Sequence, residues 1–119
     1  MTAMNPAESQ ISRIVVLDQH LPEALPVQRV EVRRITITPN SAVGAHVHNG
    51  PVFGNIESGS AVYQQAAGAE EQVLRPGDVF YEPASERISR FDSLDEGVTF
   101  LAYFPLTAGQ DATLDMLDD

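Results

Sequence analysis

Pro39-Asn40-Ser41-Ala42-Val43-Gly44-Ala45-His46-Val47-His48-Asn49-Gly50-Pro51-Val52-Phe53-Gly54-Asn55-Ile56-Glu57-Ser58-Gly59 is the stretch on which the reading of this 119-residue chain turns. Pro39-Asn40 reads as a turn, since Asn tolerates the left-handed backbone better than most residues. Val43 to His48 reads as a short strand closed by Asn49-Gly50-Pro51. Phe53 to Glu57 follows as another, and Ser58-Gly59 makes a tight turn into Ala61 to Gln65. His46 and His48 stand two apart, so on a strand both imidazoles point at one volume. Neutral imidazole is the commonest borderline ligand for divalent first-row metals. The pair thus supplies half of an ordinary metal site, although a hydrogen-bonded His pair without metal fits the same spacing.

Outward from that stretch the chain is a series of short apolar runs punctuated by turns. Ile11 to Leu17 reads as a compact strand, after which Pro22 and Pro26 break the chain. Val27 to Thr38 alternates, with Val30 and Val32 on one parity and Ile35 and Ile37 on the other, which predicts a β-bulge at Arg33-Arg34. Gln72-Val73-Leu74, Val79-Phe80-Tyr81, Arg87 to Phe91 and Val98 to Phe104 are further strand candidates. Arg75-Pro76-Gly77-Asp78 is the strongest turn. The only hint of a helical period falls at Ala112 to Leu117. Many short strands with turn signals between them predict an all-β sandwich or barrel. The expected organisation is a disordered lead-in over residues 1–10, a barrel over 11–106 and an acidic tail over 107–119. From Asp92 onward there are seven acids and no base, which reads as a solvated end.

The charge balance narrows the partners. Seven basic residues, all Arg, against seventeen acids give a net charge of −10, which argues against nucleic acid or an anionic membrane. The chain contains no Cys, so thiolate nucleophiles, disulfides and Cys-ligated metal are excluded. No apolar run approaches the length of a membrane span, and the first ten residues have neither a basic region nor an apolar core of a signal peptide. A cytoplasmic protein is the expectation.

The stretch from Pro39 to Gly59, with its His46-Val47-His48, resembles the first motif of the cupin superfamily. Arg75-Pro76-Gly77-Asp78-Val79-Phe80-Tyr81-Glu82-Pro83 resembles the start of the second. The resemblance covers about residues 11 to 106 and implies a single jelly-roll barrel, the double-stranded β-helix of small cupins. In that family a metal is usually held by two His and a Glu of the first motif and a His of the second. His46 and His48 are in place, but the Glu position falls on Val52 or Phe53 and the second-motif His falls on Ile88. The resemblance therefore implies a weak or altered metal site, for zinc, iron, nickel or manganese.

Glu82 is a substitute third ligand if Phe80 and Glu82 share the inward face. The opposite parity would put Val79 and Tyr81 inside, and the sequence leaves both open. Glu57, Gln64, Gln65 and His20 are weaker options. Cavity or substrate contacts are expected from Tyr81, Ile88, Val52, Gln64 and Arg90. Arg87 and Arg90 would either clamp a carboxylate bidentately or pair with rim acids. Two functions follow: a protein that binds a small molecule in the barrel beside an altered metal site, or a metal-dependent enzyme of dioxygenase, isomerase or lyase type. Unpaired barrel edges predict a homodimer, with Ile11 to Leu17 added to the partner's sheet.

Overall fold

In the computed structural model, which describes residues 10–117, the chain forms seven strands. They are β1 (Arg29–Ile37), β2 (His46–His48), β3 (Val52–Gln64), β4 (Gln72–Leu74), β5 (Val79–Glu82), β6 (Arg90–Leu106) and β7 (Leu114–Met116). Among the described residues there is no helix, and so none long and apolar enough to cross a membrane. Every strand pairing is antiparallel, in a larger sheet ordered β1-β6-β3-β4, with β5 also on β3, and a ribbon of β2 and β7. The fold is an all-β jelly roll.

Strands β3 and β6 form the spine. Their pairing runs from Phe53↔Tyr103 to Gln64↔Arg90, with register shifts between Ile56 and Ser58 and between Gly59 and Ala61. Those shifts move the buried face from one parity to the other. Before the shift β3 buries Val52, Gly54 and Ile56, and after it Ala61 and Tyr63. Strand β6 changes likewise, from Phe91 and Ser93 to Val98, Phe100, Ala102, Phe104 and Leu106. Gly59 and Gly97 face each other at the bend with φ of +74° and +70°. A Cβ on Gly59 would lie 2.0 Å from the Gly97 carbonyl oxygen, so only glycine fits there. The two-sided strands enclose an aromatic core in which the Phe91 ring is 5.2 Å from Phe80 and 4.8 Å from Phe100.

Several sequence expectations give way here. Ile11 to Leu17 is not a strand. It lies outside the sheets, with Ile14, Val15 and Val16 exposed at 81%, 79% and 67%, and none of the described strands pairs with it. Strand β1 has no bulge at Arg33-Arg34, and its register runs unbroken from Arg29↔Leu106 to Ile37↔Val98. Val30 and Val32 instead sit on the outer face while Glu31, Arg33, Ile35 and Ile37 take the inner one. The hint of helix at Ala112 to Leu117 is replaced by β7, whose three residues are all exposed. Of the expected lead-in over residues 1–10, all but Gln10 lies outside the described residues.

Candidate metal centre

Strand β2 is short, but both of its flanks are held. On one side it pairs with β7, from His46↔Met116 to His48↔Leu114. On the other, His46 N–H donates to Ile88 O at 3.0 Å and Ile88 N–H returns a bond to His46 O at 2.8 Å. The pleat then turns both imidazoles inward, and His46 and His48 are buried while Val47 between them is half-buried.

Glu82 reaches the same volume from β5. Pairing with β3 decides the parity that the sequence left open, because Val52↔Glu82 and Gly54↔Phe80 are opposite neighbours. Phe80 and Glu82 are buried, and Tyr81 turns outward against Phe53, ring to ring at 5.2 Å. Gly54 makes this possible, since a Cβ there would fall 2.2 Å from the Phe80 ring. His46 Nε2 lies 3.1 Å from Glu82 Oε1, and His48 Nε2 lies 3.2 Å from Oε2. The His48 approach is out of line for a hydrogen bond, and neither ring nitrogen of His48 has a hydrogen-bond partner. An orphaned buried imidazole normally signals a missing partner.

The electrostatics are those of a small charge cluster in hydrocarbon. Burial disfavours the ionised Glu82, but the two imidazoles outweigh it and hold the carboxyl below its ordinary range. Burial likewise works against a charged His46, yet the Glu82 carboxylate, with help from the Gly44 carbonyl, holds the imidazolium above its ordinary range. His46 Nδ1 is 3.3 Å from Gly44 O. With Nδ1–H donating there, Nε2 is the nitrogen left to serve as a ligand once its proton has gone.

The residues fit a metal ion. The three ligand atoms lie within 4.8 Å of one another, all from buried residues. Ligands about 2.0–2.2 Å from a tetrahedral zinc stand roughly 3.4 Å apart, close to the two His–Glu separations. His46, His48 and Glu82 therefore form a group that could hold a metal, with the carboxylate carried on β5. The resemblance placed it at Val52 or Phe53, and Val52 is the cross-strand neighbour of Glu82. Ile88, at the expected fourth ligand position, is fully buried beside His46.

The trio lines a cavity of about 270 Å³ between the large sheet and the β2–β7 ribbon. Val52 lines it as well, with Ile35 and Ile37 of β1, Phe91, Phe100, Ala102 and Phe104 of β6, and Leu114 and Met116 of β7. Ile88 belongs to the core cluster. The other expected contacts lie elsewhere. Tyr81 borders an outer groove with Tyr63 and Gln65. Gln64 donates to Ala69 O at 2.8 Å, and Arg90 pairs with Asp92 and Glu71, both at 2.7 Å. Arg87 donates to Ser89 Oγ. Phe91, Phe100 and Phe104 of β6 were weighed from the sequence as either cavity or core residues, and they line the cavity, whereas the β1 and β7 contributions were missed by the sequence reading.

No family model and no curated protein sequence matches the chain. Solved structures do. A DMSP lyase structure superposes with a TM-score of 0.64 at 22% identity, over 76% of this chain and 45% of that one. An oxalate oxidase bound to glycolate gives 0.60 at 18%, over 74% and 46%. A sugar phosphate isomerase of the cupin superfamily from Silicibacter pomeroyi gives 0.60 at 22%, over 77% and 59%. The chain thus spans about half the length of these proteins, and at such identities the likeness is one of fold. With this strand topology and these structural neighbours, the chain has the jelly-roll fold seen in the cupin structures it matches.

Proposed function

We propose that this chain binds a small molecule in its cavity beside a divalent metal ion held by His46, His48 and Glu82. The observation that carries the reading is the convergence of three buried ligand atoms, one an orphaned imidazole, on the wall of an otherwise apolar cavity. A divalent ion bound there would supply Lewis acidity to an oxygen of the bound molecule. The chain's own groups do the rest. The Gly44 carbonyl fixes the His46 tautomer, Glu82 offsets the ion's charge, and the hydrocarbon walls exclude water. A metal-dependent enzyme is the second reading. It is favoured by the trio lining the cavity rather than lying sealed behind it, since a three-ligand ion keeps a position for substrate.

The test is elemental analysis of untagged protein beside the His46→Ala/His48→Ala variant. Near-stoichiometric metal in the wild type, lost in the variant, is the expected result. Metal far below one per chain in both would overturn the proposal.

We also propose that two copies of the chain associate. Strand β1 pairs only with β6 among the described strands, its outer face carries exposed Val30 and Val32, and Ile14 to Val16 form an exposed apolar run. Strand addition at such an edge would bury both.

A further inference from the structure

The walls of the cavity say what kind of molecule belongs in it. Apart from the His46, His48 and Glu82 side chains, every lining group is hydrocarbon or thioether, chiefly Ile35, Ile37, Phe91, Phe100, Phe104 and Met116. No arginine lines it. Arg33 lies over the Phe104 ring at 4.8 Å, but its Nε donates to Glu31 Oε1 at 2.6 Å, so that charge is already engaged. A ligand with a second anionic group would find no donor to receive it, and an unpaired buried charge is strongly disfavoured. The apolar surface also continues outward. Leu114 and Met116 line the cavity while remaining about half exposed, so a hydrocarbon collar meets solvent at its mouth. Size sets the remaining bound. An apolar cavity of about 150 Å³ takes up benzene, so about 270 Å³ has room for such a ring with a short substituent.

Resting on the metal site proposed above, we infer that the ligand is a compact, largely apolar molecule of aromatic or branched hydrocarbon type. It carries one oxygen-bearing head group for the metal and no second charge. Dicarboxylates and phosphorylated sugars are excluded by the same walls.

The test uses the zinc-loaded full chain and two hydroxamates that share a metal-binding head. Benzohydroxamate is expected to bind at least about tenfold more tightly than acetohydroxamate, because only the phenyl group reaches the hydrocarbon walls. Met116→Ser, which shortens the hydrocarbon collar without adding a charge beside the metal ligands, is expected to cut that preference by at least about threefold. A second arm follows fluorobenzene by ¹⁹F NMR with metal-free protein, where saturable binding is expected. Equal hydroxamate affinities together with no fluorobenzene binding would overturn the inferred ligand class and leave the metal site standing. Fluorobenzene binding by a protein that takes up no zinc would support the apolar ligand body and overturn the metal reading instead. No zinc uptake together with no fluorobenzene binding would overturn both.

Discussion

Strands β3 and β5 make a direct test of the relocated carboxylate possible. Val52 and Glu82 are opposite neighbours on an antiparallel ladder, and both are buried on the cavity side. Such neighbours have Cβ atoms about 4.5–5.5 Å apart on the same face. Moving the carboxylate across one rung, in the exchange Val52→Glu/Glu82→Val, should therefore keep it within reach of both imidazoles. The single change Glu82→Val should not. Four-ligand zinc sites bind with apparent free energies of about 10–16 kcal/mol, or roughly 2.5–4 kcal/mol per ligand. Losing Glu82 should weaken metal binding by roughly two to three decades, and the exchange should recover it to within about tenfold of wild type.

Stability should move differently from affinity. Stranding one member of a buried ion pair costs about 3–5 kcal/mol when the survivor stays charged. Here the survivor is His46, which sheds its proton and keeps the Gly44 carbonyl as partner. Valine also suits the hydrocarbon walls better than a carboxylate does. Metal-free Glu82→Val should then lie within about 1 kcal/mol of wild type, or about 4–8 °C in Tm. Cobalt(II) titration against a competing chelator reads the affinities, and thermal melts followed by circular dichroism read the stability. Wild-type affinity in Glu82→Val would refute Glu82 as a ligand. A folded exchange variant without recovered affinity would refute the equivalence of the two positions.

Ile88→His should add a third imidazole, and so a fourth ligand, beside His46, since the two residues exchange both backbone hydrogen bonds and so project to the same side. Cobalt titration should show affinity rising by at least about tenfold, against a metal-free stability loss of about 2–4 kcal/mol from emptying a fully buried isoleucine site. In the metal-free protein, the Glu82 contribution is present above the ordinary carboxyl value of 4.5 and is lost as pH falls through the depressed one. The His46 contribution is full below 6.5 and is lost as pH rises through the raised value. Because the metal displaces the His46 proton, chelator competition should show affinity falling by about one decade per pH unit below that value; a flat profile would exclude His46 as a ligand. For self-association, sedimentation velocity near 50 μM should give a dimer for wild type and a monomer for Val30→Asp/Val32→Asp, both sites being exposed in the single chain. A monomeric wild type would end that proposal.

Which parts of this molecule could be read from its sequence follows from how local each signal is. His46-Val47-His48 announces its shared face through a period of two, which needs no partner strand. Val79-Phe80-Tyr81-Glu82 is bulky on both parities, so only its register against β3 settles that Glu82 points inward. Val30 and Val32 suggested a bulge because apolar residues were assumed to face the core. The inner positions went instead to Glu31 and Arg33, paired to each other, with Arg33 stacked on Phe104. Leu114-Asp115-Met116 is too short for periodicity to separate helix from strand, and its identity as β7 comes from β2, far away in sequence. Arg90 and Gln64 looked like mouth residues, yet each is the last residue of its β3–β6 register and is held by local partners on the outside.

The pairing of β2 with β7 also sets an order of assembly. The strand that carries both imidazoles lies at residues 46–48, but its partner strand lies at 114–116 and the Ile88 bridge between them. A nascent chain therefore emerges with β1, β2 and β3 synthesised long before β2 can be flanked. Closing so wide a loop costs entropy that is repaid only when the last strand docks. Until then His46 and His48 sit on an unpaired segment with one edge open, free to capture stray metal or another chain's edge. Ribosome-bound chains stalled before Leu114 would expose that segment, while chains extended past Leu117 would close it.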